Sequence, residues 1–283
     1  MATLCIWYEF HFMELNVVPV SILGGALAIF LGFRNNSAYD MWWEARKVWG
    51  GVVNISRTFA MESTSFVTSV FVKGDASNHE IKELQKSLVY RHLAWVNALR
   101  IQLREQDCWD ELKPFLSEQE FSELSSYRNK ATMLIQRQGI ELRDAHEKGF
   151  IDDFRHMQME NSLKEMYDLQ GKAERIKKTV FPYYYTYFTN LFLWLFVILL
   201  PFSLVHELGW VVVPITTMIS FVFLMLDKAG TTTEDPFEGR ASDTPLSTLC
   251  RTIEIDLRQQ LGEKDIPEYT KVKRLRYGLE FLP

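Results

Sequence analysis

Three long stretches of the chain are apolar and carry no charged side chain, whereas the middle of the chain is densely charged. The uncharged stretches are residues 15–33, 180–205 and 208–226. About 20 apolar residues in a helix cross the roughly 30 Å of hydrocarbon in a bilayer, and each stretch has that length. The alternative is a set of buried helices in a soluble core, but soluble helices usually keep a polar face. The pattern therefore predicts three membrane helices, the last two joined by a turn at His206 and Glu207.

Positively charged residues flank these stretches on one side of the predicted membrane. Arg34 follows the first stretch, Arg175, Lys177 and Lys178 precede the second, and Lys228 follows the third. Lysine and arginine are enriched in cytoplasmic loops. The sequence thus predicts a multi-pass protein of the cell inner (plasma) membrane, with the bulk of its soluble part in the cytoplasm.

The start of the chain is apolar but short. Residues 1–12 are rich in aromatic side chains and cannot span a bilayer. They look like the last turns of a further membrane helix, so a truncated or mis-assigned start is predicted; a short interfacial segment is the alternative. The predicted organisation has four parts: 1–64 with the truncated first and complete second membrane helices, 65–178 soluble, 179–230 a membrane hairpin, and 231–283 a soluble loop, helix and tail.

The charged middle of the chain has apolar residues at helical spacing and no strand-like alternation. It predicts a helix from Ser77 or Asn78 to about Glu105, one opened by a capping box of Ser117 and Glu120, and one at about 160–177. The fold class is therefore an all-α membrane protein with a soluble helical bundle. Such a bundle also fits a plain scaffold whose charges form a solvated face.

The last part of the chain begins with a loop after Leu226, because Pro236 and Pro245 prevent an uninterrupted helix. Asp243 or Thr244 is then expected to cap a helix. The tail is polar and contains a basic patch. Such a patch can bind anionic lipid, but a solvated tail is the favoured interpretation. The patch consists of Lys271, Lys273, Arg274 and Arg276.

Composition excludes several function classes. The net charge of −5 argues against a nucleic-acid partner, since phosphate binding needs a positive field. Cys5, Cys108 and Cys250 are far apart and the six histidines are scattered, so no metal site is predicted. No nucleophile–base arrangement or catalytic motif is found, and neither an enzyme nor a cofactor is expected.

Several runs resemble one known family. They are AIFLGFRNNSAY at 28–39, WEAR at 43–46, EDPF at 234–237, DTPL at 243–246 and LLPF at 199–202. Together they make the chain similar to the bestrophins, most of all the bacterial branch. The resemblance implies a homopentamer whose second membrane helix, here residues 15–33, lines one central pore. It also implies a passive channel for small monovalent ions, whose partners are copies of itself, the lipid bilayer and the permeating ions.

The same resemblance implies two pore constrictions. The apolar neck of the family corresponds to Gly25, Ile29 and Phe33, which share one helical face through their spacing of four. Gly25 departs from the bulky residue of the family, so the outer ring should be wide or absent. Plain helix packing is the alternative for the other two. The cytosolic exit restriction falls near Phe154, beside Asp152 and Asp153, which are either a ring of carboxylates or solvated loop residues.

The kind of ion and the regulation stay open. Animal and plant bestrophins pass chloride, some bacterial members favour cations, and the paired aspartates lean toward cations. Arg240 stands within the run where animal members have acidic calcium ligands, which implies no calcium activation by that route. A non-conducting membrane-anchored scaffold or regulator is the second hypothesis. A transporter is disfavoured because the membrane stretches contain no acid or base.

Overall fold

The structure is a computed structural model that describes residues 15–69, 78–271, 273–274 and 280–281. Residues 1–12, predicted as the remnant of a membrane helix, lie outside the described residues, as does the proposed cap Ser77. The chain forms two compact units. The hairpin unit contains the described residues up to Trp43 together with Thr179–Asp235, and the bundle unit contains Glu44–Lys178 and the chain from Pro236 onward. The division into four consecutive segments stays a prediction.

Helices make up nearly all the described residues. In chain order they are α1 Val17–Phe66, α2 Asn78–Leu103, α3 Glu118–Leu124, α4 Lys130–Glu147, α5 Asp153–Lys178, α6 Tyr183–Leu208, α7 Val212–Thr233 and α8 Leu246–Gln260. Short 3₁₀ helices cover Trp109–Phe115 and Gly209–Val211. An antiparallel pair of two-residue strands, β1 Lys273–Arg274 and β2 Glu280–Phe281, lies in the tail, where no strand was expected.

The hairpin unit is built from the first part of α1 and the α6–α7 hairpin. Gly209, with φ +51°, ends α6 and starts the turn, two residues after the predicted His206–Glu207. The core of this unit joins one face of α1 to one face of α6 through Val20, Leu27, Leu31, Leu193, Phe196 and Leu200. At Gly24 the two helices come so close that an added Cβ would lie 2.7 Å from the Phe196 ring.

The outer surface of the hairpin is strongly apolar. Only 28% of the most apolar 18-residue segment of α1 is buried, and the same share is buried in the most apolar 18-residue segment of the hairpin. A soluble core helix would bury most of such a segment, and large exposed apolar patches need another apolar phase to cover them. Tyrosines 183, 184 and 187 are exposed at the start of α6, and Trp210 is exposed at the turn. Aromatic side chains at both ends of an apolar hairpin match the two headgroup levels of a bilayer.

Helix α2 is the centre of the bundle unit, with α4 and α8 packed against it. His92 of α2 is fully buried between the rings of Phe59 and Trp95, and its Nε2 lies 2.8 Å from the Ser56 hydroxyl. Burial lowers the pKa of His92 to about 3, because the surroundings disfavour its charged form. The imidazole is therefore a neutral part of the core.

Several boundaries differ from the sequence-based expectations. The capping box of Ser117 and Glu120 is confirmed. Helix α4, capped by Asn129, was missed altogether. The helix expected at about 160 begins at Asp153, since the Asp152 carboxylate accepts a hydrogen bond from the backbone N–H of Arg155 and caps it.

The end of the hairpin was also placed wrongly. Helix α7 continues past Leu226 to Thr233, so the expected loop starts a full two turns later. The predicted cap of α8 is wrong as well, because Pro245 occupies the N-cap position and no side chain caps the helix. Asp243 instead accepts a hydrogen bond from the backbone N–H of Arg240 and closes the preceding turn.

Candidate functional site

The predicted neck residues lie on one exposed face of α1. Ile29 and Phe33 have 61% and 64% of their surface exposed, and Gly25 is exposed as well. At about 100° per residue, Gly25 and Phe33 lie about 40° to either side of Ile29. Two large apolar side chains thus project from the same side of the helix into open space.

The opposite face of α1 holds the helix against its own hairpin. Leu27 and Leu31 are fully buried there, about 160° from Ile29 on one side and the other. Packing within the chain therefore leaves the side chains of Ile29 and Phe33 uncovered. Their face is free to meet other copies of the chain or a water-filled path.

Small residues flank this exposed face. Ala26, Ala28 and Gly32 are exposed beside Ile29 and Phe33, and a Cβ at Gly25 or Gly32 would meet nothing within 4 Å. Other exposed surfaces of the hairpin carry large side chains instead, such as those along α6 and α7. Small residues let membrane helices approach each other closely. The exposed face of α1 therefore has the composition of a helix–helix contact.

The buried side chain of Arg34 ties the end of the apolar part of α1 to the end of α7. The guanidinium of Arg34 is 1% exposed; its Nη1 donates to Asp227 at 2.9 Å and its Nε donates to Glu234 at 2.9 Å. A second bond runs from Nη2 to Glu234 at 3.2 Å, so the carboxylate is held by two donors. A paired and hydrogen-bonded charge tolerates burial that an isolated charge does not.

Two further hydrogen bonds fix α1 near the same place. The Asn35 amide donates to the backbone carbonyl of Leu226 at 3.2 Å, and the Tyr185 hydroxyl donates to the carbonyl of Phe30 at 3.0 Å. These bonds bracket Phe33 along the helix. In the sequence, Arg34 stands out only as a flanking charge, so this anchor was not predicted, although the EDPF run carries one of its acids.

The predicted exit residues lie in the bundle unit, at the start of α5. Phe154 is 87% exposed, an unusual position for a phenylalanine in a soluble helix. Asp152 is occupied as the cap of α5 and also lies 3.2 Å from the Arg155 guanidinium. Asp153 is exposed, and its carboxylate lies 2.7 Å from Nε2 of His146. The two aspartates therefore differ: Asp152 is a structural cap, and Asp153 faces solvent beside Phe154.

No group of three or more histidine, cysteine, aspartate or glutamate side chains within the described ranges is arranged to hold a metal ion. The expectation of no metal and no cofactor stays a prediction.

Comparison with known proteins gives the family. The sequence-family model of the bacterial and fungal bestrophin proteins matches residues 1–259. The voltage-dependent anion channel-forming protein YneE of Escherichia coli K12 is 33% identical over 261 residues, which cover 92% of this chain and 82% of the relative. The protein mll4386 of Mesorhizobium japonicum, with the same description, is 32% identical over 91% of this chain and 79% of its own length.

A solved structure agrees with the sequence comparison. The crystal structure of a bacterial bestrophin homolog from Klebsiella pneumoniae superposes with a TM-score of 0.84 at 31% identity, covering 93% of this chain and 96% of that one. The resemblance read from the sequence motifs is thereby confirmed. The chain is a membrane protein that belongs to the bacterial and fungal bestrophin family.

Proposed function

We propose that five copies of this chain form a passive channel for small monovalent ions, with Ile29 and Phe33 as its apolar neck. The chain is an ion-channel subunit, because it belongs to the bestrophin family and its relatives YneE and mll4386 are named voltage-dependent anion channel-forming proteins. The observation that carries the proposed neck is the exposure of Ile29 and Phe33 on the face of α1 opposite its packed face. Five such faces around an axis would form two stacked rings.

Rings of this kind control ions by controlling water. A narrow apolar constriction excludes water, and an ion does not enter a place where it loses its hydration. A modest widening therefore opens the path. With Gly25 at the outer position, the neck of this channel consists of two rings, and its outer mouth is wide.

The proposed placement has α6 and α7 crossing the inner membrane with their turn outside and the bundle unit in the cytoplasm. The positive residues before α6 and after the apolar part of α7 support this orientation. Phe154 then forms the exit restriction on the cytoplasmic side, and Asp153 is the carboxylate beside it.

A non-conducting scaffold is less favoured. Lipid contact in a scaffold would also cover Ile29 and Phe33, but the relatives of this chain are named as channel-forming proteins. An enzymatic role has no support: the described residues contain no metal-binding group, and the Ser56–His92 hydrogen bond is buried in the core of the bundle unit.

Ion flux from liposomes tests the channel and its neck together. Phe33→Ala removes the larger ring and should raise the flux of potassium or chloride severalfold, because a wider neck stays wet. Phe221→Ala is the matched control, since Phe221 is exposed on α7 and the change is chemically identical. Flux should not respond to it.

Oligomer size is measured on the same samples by mass photometry or light scattering. An intact pentamer without flux, in wild type and in Phe33→Ala, would favour the scaffold. A monomeric protein would contradict the proposed assembly.

A replacement at the exit tests that restriction separately. Asp153→Asn removes an exposed charge beside Phe154 and should lower the preference for cations over anions, whereas the cap Asp152 is left in place. An unchanged reversal potential in asymmetric KCl would exclude Asp153 from the ion path.

A further inference from the structure

The exposed face of α1 changes its chemistry just after the neck. Val18, Ile22, Ile29 and Phe33 are the large apolar side chains of this face. The next exposed positions in the same direction are Asn36 and Asp40. After Phe33, the side of the helix that carries the neck therefore presents first a polar amide and then a carboxylate.

Asp40 is aligned with the neck more closely than any other charged residue of the hairpin unit's α1 segment. It follows Phe33 by seven residues and Ile29 by eleven, so in a regular helix it points about 20° from each and between them. It lies about 10 Å along the axis from Phe33 at 1.5 Å per residue. If Ile29 and Phe33 point toward a central axis, Asp40 points toward the same axis, further along the helix.

The carboxylate of Asp40 has no partner within the described residues. Helix α1 contains three acids, and the other two are engaged. Glu44 lies 3.1 Å from Lys47, and the buried Glu62 accepts hydrogen bonds from Gln158 and Ser162. Asp40 is exposed, and no hydrogen bond or ion pair to a described residue neutralises it. Its charge therefore acts on whatever fills the space in front of it.

We propose that Asp40 is a selectivity-determining residue, whose five copies form a ring of carboxylates below the neck and favour the entry of monovalent cations over anions. This inference rests on the proposed pentameric channel with Ile29 and Phe33 at its neck. A ring of like charges between low-dielectric walls concentrates counterions and depletes ions of its own sign. Aspartate and glutamate rings act in this way in cation channels. The ring stands about 10 Å from Phe33 along the helix, on the path by which an ion reaches or leaves the neck.

The test is the ratio of potassium to chloride permeability, measured from reversal potentials in asymmetric KCl. Asp40→Asn keeps the shape of the side chain and removes the charge, and the ratio should fall by about threefold or more. Asp40→Glu keeps the charge and should keep a ratio near that of the wild type. Asp110→Asn is the matched control, as Asp110 is an exposed aspartate outside α1. Each variant is also measured with Phe33→Ala, so that a closed neck does not hide the result.

The outcomes separate this inference from the function on which it rests. Ion flux with a lowered ratio in Asp40→Asn, and not in Asp110→Asn, supports the ring. Ion flux with an unchanged ratio in Asp40→Asn overturns the ring and leaves the channel intact, as does a wild type that prefers chloride. Absence of flux in every sample, Phe33→Ala included, contradicts the proposed function itself.

Discussion

Arg34 and Glu234 are 200 positions apart in the chain, yet their side chains share two hydrogen bonds, of 2.9 and 3.2 Å. Asp227 completes the set with a third bond to the guanidinium. Phe33 directly precedes this arginine, so the anchor fixes the rotation of α1 about its own axis at the neck. The direction in which the neck side chains point thus depends on acids at the far end of α7.

Removal of the guanidinium should destabilise the hairpin unit strongly. Arg34→Met leaves two carboxylates without their cation, which typically costs about 3–5 kcal/mol for a buried pair. The melting temperature of the purified protein in detergent should fall by many degrees. Lys47→Met is the matched control on the same helix; its exposed pair with Glu44 contributes about 0–1 kcal/mol. Equal melting temperatures for the two variants would contradict a structural role of the Arg34 anchor.

The neighbouring glycines of α1 should respond in opposite ways to alanine. Gly24→Ala places a Cβ 2.7 Å from the Phe196 ring and should cost about 1–3 kcal/mol through overpacking. Gly25→Ala meets nothing within 4 Å and should be neutral or stabilising by about 0.5–1 kcal/mol, as alanine is the better helix former. Melting curves of the two single variants decide the point. A loss of stability in Gly25→Ala like that of Gly24→Ala would mean that position 25 is packed closely against another helix and does not face open space.

A bulky residue at position 25 should add a third ring to the neck. Gly25→Ile fills the open outer mouth with an apolar side chain in line with Ile29, so the path is harder to wet and flux should fall severalfold. Liposome flux is the measurement, with Gly25→Ala as the control for a change without bulk. Undiminished flux in Gly25→Ile, in an intact oligomer, would argue that residue 25 does not face the ion path.

His92 should make the bundle unit sensitive to acid. Its pKa is lowered to about 3 in the folded state against an ordinary value of 6.5, so the unfolded chain binds the proton first as the pH falls. Stability is complete above pH 6.5 and is lost below it, by about 2 kcal/mol between pH 7 and pH 5 from this group.

The variant His92→Gln tests this contribution. It loses the ring contacts with Phe59 and Trp95, so its melting temperature at pH 7 should be lower than that of the wild type. Its further loss between pH 7 and pH 5 should nevertheless be smaller. His79→Gln, at the exposed start of α2, serves as the control and should keep the pH dependence of the wild type. An identical pH dependence in His92→Gln would rule out the buried imidazole as the acid-labile group.

The sequence predicted the hairpin well because its signal is local. Runs of uncharged apolar residues mark α6 and α7 to within a few residues at most ends, and a capping box marks the start of α3. The motif resemblance named the family without any tertiary information. Spacing alone also places Ile29 and Phe33 on one face of α1, since helical phase is a local property, but their choice as neck residues came from the family resemblance.

The misses have different origins. Helix α4 carried a local signal that was overlooked: most of its residues are good helix formers, and the buried Ala131, Leu134, Leu142 and Ala145 recur at helical spacing. The early start of α5 depends on one capping carboxylate, that of Asp152. The anchor of Arg34 could not be predicted, because nothing in the local pattern says which of 36 acids a buried arginine will meet.

The exposed aromatic residues at the two ends of the hairpin set the thickness of bilayer that fits it. From Tyr187 to the end of α6 at Leu208 the helix is about 30 Å long, close to an ordinary hydrocarbon core. A bilayer of shorter lipids would leave apolar turns of α6 in water, and the helix would tilt to bury them. Helix α1 would tilt with α6, because the two share one core. In the proposed channel, lipid chain length thus acts on the bore at Ile29 and Phe33, and the hydrophobic match of the membrane is itself an input to the protein.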